Sequence, residues 1–185
     1  MSSLSSLLVR DGVVSVKRME RAFQAQVIDG GGLDTILLEQ ELVSEDQLVD
    51  YLSQASGLPA ASWDDCEIID DEALRRVPVE LATELEVAPL SFDAGALSVL
   101  VKDPVDTARL GALADRLGVT IQPMIVPEYR WHLVFTRDYD QPPEDRFVAL
   151  ATALGSVGGE VRHRPVQDGA EAGEAEEAAA PEPEE

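Results

Sequence analysis

The strongest constraint on the fold is an internal repeat in the first third of the chain. Apolar residues recur there at an offset of 29 residues, and eight apolar positions of the first copy meet apolar positions in the second. So many matches at one offset indicate a duplicated unit. The matched positions, first copy then second, are Leu4 and Leu33, Leu7 and Ile36, Leu8 and Leu37, Val9 and Leu38, Val13 and Leu42, Val14 and Val43, Met19 and Leu48, and Phe23 and Leu52.

Each copy predicts a short helix, a turn and a longer helix, because its apolar residues fall at helical spacing along one face. Gly12 stands where a helix ends in a left-handed residue. Ser44 and Gln47 form a capping-box pattern, and Ser15 is the equivalent cap in the first copy. The glycine-rich stretch 29–32 predicts a flexible hinge between two helical hairpins whose apolar stripes pack as core.

The second half of the chain predicts strands and helices in the order β-β-α-β-α. Short helices are expected near 72–76 and 79–85, strands at 87–92, 97–101 and 119–126, and longer helices at 107–117 and 127–138. This order suggests a small α+β sandwich with one sheet face covered. The connecting segment that precedes it offers Trp63 and the pair Ile68 and Ile69 as apolar anchors, and Cys66 as a small buried residue.

The sequence therefore predicts an α+β fold, with N-terminal duplicated helical hairpins, a three- to four-stranded α+β sandwich and a disordered acidic C-terminal tail. The tail is too poor in apolar residues to order itself. A short apolar helix near 146–155 has two possible fates, packing back onto the domain or docking on another protein. The expected divisions are a repeat unit at 1–57, a connecting segment at 58–85, an α+β subdomain at 86–140, an extension at 141–165 and the tail at 166–185.

Charge and composition exclude several functional classes. The formal net charge is −22, so nucleic acid and anionic membrane surfaces would repel the chain. The single Cys66 excludes an intramolecular disulfide framework, and no apolar run approaches the ~20 residues that span a bilayer. These observations favour a cytoplasmic protein that does not insert into a membrane.

No catalytic or metal-binding pattern is legible in the sequence, so we expect neither an enzyme nor a metal site. The only histidines, His132 and His163, have no suitably spaced Cys or His partner. The chain also lacks the phosphate-binding loop of ATPases and the context of a serine nucleophile.

The repeats and the downstream segment resemble the MshEN domain, the N-terminal domain of type II secretion and type IV pilus assembly ATPases. That family carries two tandem motifs, each running Arg-Leu-Gly, an apolar pair, Gly, a second apolar pair and a Leu-rich helix ending in Gln. Its second copy typically runs into Leu-Gly-Leu-Pro, close to "SGLP" at 56–59, and the segment from "DDEALRRVPVELA" to "TIQPMIVPEY" is also similar. The resemblance covers about residues 4–139.

In this family, intact motifs imply binding of cyclic di-GMP, and the chain departs from them. Ser3 and Gly32 replace the motif arginines, Ser5 and Asp34 replace the glycines that follow, Glu41 replaces the second copy's middle glycine, and Ala55 replaces its glutamine. Between residues 22 and 74 there are 13 acids and no Lys or Arg, which disfavours an anionic ligand. If the dinucleotide does bind, the expected contacts are Leu4, Leu7, Leu8, Gly12, Val13, Arg18, Gln26, Leu33, Ile36 and Leu37.

We therefore expect a non-catalytic interaction module without a cofactor, docking on another bacterial protein such as a secretion or pilus assembly component. The alternative is a cyclic di-GMP effector that uses the first, better preserved motif copy. The cations of that copy, Arg10, Lys17, Arg18 and Arg21, would then hold a phosphate; otherwise they form a solvated face. The sequence leaves the oligomeric state open.

Overall fold

A computed structural model describes residues 3–103, 105–155 and 162–163. The predicted acidic tail at 166–185 lies outside the described residues.

The N-terminal half consists of four helices whose boundaries repeat at the predicted offset. Helix α1 (Leu4–Arg10) corresponds to α3 (Leu33–Glu39), and α2 (Val16–Asp29) corresponds to α4 (Glu45–Ser56). The copies interlock, because α1 packs against α4 and α2 packs against α3. Their apolar stripes form the core, as predicted, with Leu8, Leu37, Leu48 and Leu52 fully buried.

The turn between the helices keeps the same backbone in both copies. Gly12 has a φ of 73° and its counterpart Glu41 a φ of 51°, so both are left-handed. Glutamate pays a steric cost there that glycine does not. Ser15 accepts from the amide of Arg18, and Ser44 with Gln47 forms the complete predicted capping box.

The connecting segment contains the two predicted short helices and, before them, a helix and a strand that the sequence did not indicate. It forms α5 (Trp63–Glu67), the short strand β1 (Ile68–Ile69), α6 (Asp71–Arg76) and α7 (Val79–Leu85). The expectation that Ile68 anchors the segment is wrong, because this side chain is exposed in a two-stranded ribbon with β5 (Arg162–His163). Trp63 is half-buried, with its ring edge-on to Tyr129 and the Arg130 guanidinium over its face.

The main sheet has three strands in the order β2-β3-β4. Strands β2 (Ala88–Asp93) and β3 (Ala96–Val101) form an antiparallel hairpin; α8 (Thr107–Leu117) then crosses over, and β4 (Thr120–Ile125) pairs parallel to β3. Pro89 and Pro123 lie in the two edge strands, where a missing backbone donor is tolerated. All three strands agree with the predicted ones to within about one residue.

Both faces of this sheet carry buried side chains, so the expectation of one covered face is wrong. Leu97, Val99 and Val101 belong to the large core shared with the N-terminal helices. Leu100 belongs to a second cluster on the other side, together with Trp131, whose indole nitrogen donates to the Leu100 carbonyl at 3.2 Å. Alternation of side chains along β3 produces this division.

Two helices complete the described fold. Helix α9 (Glu128–Asp138) follows β4, and α10 (Asp145–Ala153) packs against α9. Phe147, Leu150 and Ala151 enter the large core, and the Phe147 ring stacks on His132 with centroids 4.2 Å apart. Of the two fates predicted for this C-terminal helix, the structure shows packing back onto the domain.

No helix in the described ranges is long and apolar enough to cross a bilayer.

Candidate functional site

A pocket of about 420 Å³ lies where the glycine-rich stretch between the repeats meets the second half of the chain. The pocket is lined by residues at the C-terminal ends of α2 and β3 and at the N-terminal ends of α8 and α9. Two motif positions border the pocket, the glutamine that ends the first copy and the residue that starts the second. The lining residues are Gln26, Gly31, Gly32, Leu85, Glu86, Val87, Val101, Lys102, Asp103, Val105, Asp106, Arg109, Leu110 and Glu128.

Beside this pocket, two helix N-termini are capped by each other's carboxylates. Helix α3 has Gly32 and α9 has Pro127 at the N-cap position, so neither helix has a side-chain cap of its own. Glu128 instead accepts from the Gly32 amide and from the Thr35 hydroxyl, the latter at 2.7 Å. In return, Asp34 accepts from the Glu128 amide at 2.6 Å. One amide at each helix start, that of Gly32 and that of Glu128, thus donates to an internal carboxylate instead of facing an anion.

The two carboxylates have opposite protonation preferences. Asp34 is 1% exposed, and burial together with the nearby Glu128 charge raises its pKa to about 7. Its Oδ1 atom has no hydrogen-bond partner. Burial alone would also raise the pKa of Glu128, but the hydrogen bonds from Gly32 and Thr35, with the Lys102 charge, lower it below its usual value. Glu128 is therefore the anion of the pair, and Asp34 exchanges its proton near neutral pH.

Gly32 has no room for a side chain beside this pair. A Cβ at residue 32 would overlap Asp34 Oδ1 and would lie 2.9 Å from Glu128 Oε2. The arginine that the family motif places here cannot coexist with the carboxylates in their observed positions.

The cations that line the pocket are already paired with acids. Arg109 forms an ion pair with Glu86, and Lys102 lies 3.6 Å from both Glu86 and Glu128. Four carboxylates and two cations border the cavity in total. A bound phosphate would have to compete with Glu86 for both cations while facing the remaining acids.

The glycine-rich stretch is held in place by hydrogen bonds rather than free as a hinge. Arg146 of α10 donates to the Asp29 and Gly30 carbonyls at 3.1 and 3.0 Å and forms a two-point ion pair with Glu39. Gln26 donates to the Gly31 carbonyl at 3.0 Å. The interaction with Glu39 further raises the pKa of Arg146, which stays charged. Helix α10 therefore fastens the start of the second repeat.

The residues predicted for dinucleotide contact lie in different parts of the structure. Only Gln26 lines the pocket, and its amide is used by Gly31. Arg18 is exposed, Gly12 and Val13 lie in the turn after α1, and Leu33 is half-buried. The other predicted contacts are buried core residues: Leu4, Leu7, Leu8, Ile36 and Leu37.

Sequence reasoning missed Glu128, Lys102 and Arg109, and it interpreted Asp34 only as a lost glycine. One feature of the sequence could have indicated the capping role of Asp34 and Glu128. Helices α3 and α9 both begin after residues that cannot cap by a side chain, and both carry an acid in their first turn.

Within the described residues there is no group of three or more His, Cys, Asp or Glu that could hold a metal ion. His132 stacks on the Phe147 ring and meets the Trp131 ring edge-on, and burial lowers its pKa. Burial also raises the pKa of the Cys66 thiol to about 11. Both side chains act as packing groups here.

Comparison with known proteins shows what this fold is similar to. Residues 56–145 match the model of the MshEN domain. The type IV pilus assembly ATPase PilB of Myxococcus xanthus is 26% identical over 158 residues, which are 85% of this chain and 27% of PilB. The chain thus spans about a quarter of that relative's length.

Two solved structures share the fold. MshE, determined with cdg (cyclic di-GMP), superposes with a TM-score of 0.58 at 28% identity, over 75% of this chain and 100% of the MshE chain. The N-terminal domain of XpsE superposes with a TM-score of 0.55 at 18% identity, over 75% of this chain and 98% of that chain, a likeness of fold. The α+β architecture and the resemblance to the MshEN domain predicted from the sequence are both confirmed.

Proposed function

We propose that this MshEN-type domain is a non-catalytic interaction module that docks on another bacterial protein and has lost dinucleotide binding at its second motif copy. The observation that carries the proposal is the reciprocal capping of α3 and α9 by Glu128 and Asp34. The domain keeps its fold and shared core, while the groups suited to an anionic ligand are used internally.

Electrostatics support the loss of the ligand. Cyclic di-GMP carries two phosphates, and binding would bring them toward Glu128 and the acids around the pocket. Guanidinium groups that could offset this repulsion are absent at motif positions Ser3 and Gly32, and Arg109 is held by Glu86. Specific binding of the dinucleotide at this pocket would therefore require the internal hydrogen bonds and ion pairs of Glu128, Asp34 and Glu86 to break first.

The partner is expected to present a basic surface to the acidic second repeat. Helix α4 starts with Glu45 and Asp46, and Asp50 follows one turn later. Complementary charge of this kind accelerates encounter and selects among partners more than it sets affinity. A pilus or secretion assembly component fits the context of the relatives, in which this domain adjoins further sequence.

The proposal is tested by capturing partners of the full chain in its native bacterium, followed by reconstitution. Support requires that a captured protein, once purified, binds the chain directly and that D46K/D50K weakens binding at least tenfold. D93K/D115K changes the net charge equally at exposed acids elsewhere and serves as the matched control. Recovery of no partner above background would count against the interaction module.

A second candidate function is cyclic di-GMP binding through the first motif copy. It is favoured by the likeness to MshE determined with cdg, by the position of Gln26 at the pocket and by the absence of an ion pair at Arg18 in the described structure. Calorimetry distinguishes the two functions. A micromolar binding heat that disappears in both R18A and Q26A would establish the effector and reject the loss of the ligand.

A further inference from the structure

The duplicated unit presents the same helix face twice with opposite charge. On α2, Lys17, Arg21, Gln24 and Ile28 fall at i, i+4, i+7 and i+11, which places them on one exposed face. At the repeat offset of 29 residues, the same face of α4 carries Asp46, Asp50, Ser53 and the C-cap Gly57. We call these the α2 face and the α4 face. Lys17 thus corresponds to Asp46, and Arg21 corresponds to Asp50.

The charged side chains on these two faces have no ion-pair partner among the described residues. Between residues 3 and 155, every Lys and Arg has a carboxylate within ion-pair distance except Lys17, Arg18 and Arg21. All three unpaired cations lie on α2, although the chain carries a net charge of −22. Asp46 and Asp50 are exposed, and no cation of the described residues pairs with them.

The two faces also differ in shape at their C-terminal ends. Ile28 is 81% exposed and projects as an uncovered apolar side chain near the end of α2. At the equivalent end of α4 lies a shallow open hollow, lined by Asp50, Ser53, Gln54, Gly57, Leu58 and Pro59. One copy of the repeat therefore has an apolar projection where the other has a hollow.

We propose that the α2 face docks in parallel register on the α4 face of a second copy of this chain. Lys17 then faces Asp46, Arg21 faces Asp50, and Ile28 enters the hollow at Gly57. An antiparallel arrangement could also pair the charges, but it would carry Ile28 past the polar start of α4, away from the hollow.

The contact is heterologous, because each copy offers one α2 face and one α4 face. Such contacts leave an unused face at each end and generate rings or open chains rather than closed two-fold dimers. A helix of 14 residues is about 21 Å long. A contact along this length buries less than the roughly 1,000 Å² of a stable complex, so association is weak and concentration-dependent.

This contact is separate from the pocket. Gln26, the one pocket residue of α2, lies about 180° around the helix from the centre of the α2 face, at 100° per residue. The α4 face is also the surface proposed above for a different protein, so D46K/D50K bears on both contacts. The two are distinguished by whether purified chain associates alone and by K17D/R21D, which changes only the α2 face.

Sedimentation of the purified full chain at 0.15 M salt, from about 10 to 500 µM, tests the proposal. The expected weight-average mass rises above the 20.0 kDa of the monomer with increasing concentration. K17D/R21D and D46K/D50K should each weaken association at least tenfold. Mixing the two variants, or combining all four substitutions in one chain, should restore it, since opposite charges then meet again.

The D46K/D50K result is the most diagnostic arm. This variant has a less negative net charge, so a general relief of repulsion would strengthen association instead of weakening it. D93K/D115K makes the same change in charge away from both faces and should not weaken association. A monomer mass at every concentration overturns the proposal, whether α2 is then covered by the chain's acidic tail or by another protein. Failure of the charge-swapped combination to restore association overturns it as well.

Discussion

The buried carboxyl of Asp34 leads to an unusual prediction, that removing its charge stabilises the protein at neutral and higher pH. In Asp34→Asn, an oxygen can still accept from the Glu128 amide, which Asp34 contacts at 2.6 Å. The substitution removes the charge that burial and Glu128 disfavour. We therefore expect D34N to be more stable than the wild type above pH 7 and close to it near pH 4.

The magnitude follows from the pKa of this group. In the unfolded chain Asp34 titrates near 3.8, and in the folded protein its pKa is raised to about 7. As pH rises between these values, the unfolded state loses its proton first, so the wild type loses stability across this window and levels off above it. Each pKa unit is worth about 1.4 kcal/mol, which gives a loss of ~4 kcal/mol by pH 8 that D34N avoids.

Urea unfolding of the wild type and D34N at intervals from pH 4.5 to 8.5 measures this effect. The difference in the free energy of unfolding should grow with pH through the window and then remain constant. Asp46→Asn, an exposed acid in the first turn of α4, is the matched control and should show little pH-dependent difference. Parallel pH profiles for D34N and the wild type would refute the assignment of Asp34 as the destabilised carboxyl.

Three further predictions concern the scaffold. Arg146→Ala should lower the free energy of unfolding by about 1 kcal/mol, a modest loss because the ion pair with Glu39 is partly exposed. It should also accelerate amide exchange in α10. Unchanged exchange there would show that Arg146 does not hold α10 to the start of the second repeat. Glu41→Gly should raise the free energy of unfolding by about 1 kcal/mol, measured by thermal unfolding, because glycine adopts the left-handed backbone without strain. Gly12→Ala should lower the free energy of unfolding for the same reason. Effects of the same sign in both variants would argue against backbone strain as the cause. Cys66 should react with a thiol reagent at pH 8 only after unfolding, because it is buried and its pKa is raised to about 11; rapid labelling of the native protein would show that the thiol is accessible.

Much of the fold was predictable because local signals and the core pattern agree. The repeat offset placed all four N-terminal helices, and the caps at Ser15 and Ser44 fixed the starts of the longer ones. The turn at residues 94–95 and the capping Asp106 marked the hairpin and the crossover helix α8. Such features depend on neighbouring residues, which a single sequence displays directly.

The site could not be predicted to the same extent, because its interactions join distant residues. Glu128 and Gly32 are 96 residues apart, and nothing in local periodicity shows that α3 and α9 start side by side. Arg146 reaches the Gly30 carbonyl across a separation of 116 residues. The sequence showed that the motif arginines are missing. That hydrogen bonds between α3 and α9 stand at the same place could be seen only in the folded structure.

We propose that the Asp34 and Glu128 carboxylates occupy the position where an intact second motif copy would hold a dinucleotide. Calorimetry with cyclic di-GMP on the wild type and on G32R/D34G, which restores Arg-Leu-Gly at 32–34, tests it most directly. We predict no binding heat for the wild type up to ~200 µM ligand and measurable binding for the folded double variant. Micromolar binding by the wild type, unaffected by the double substitution, would contradict the account.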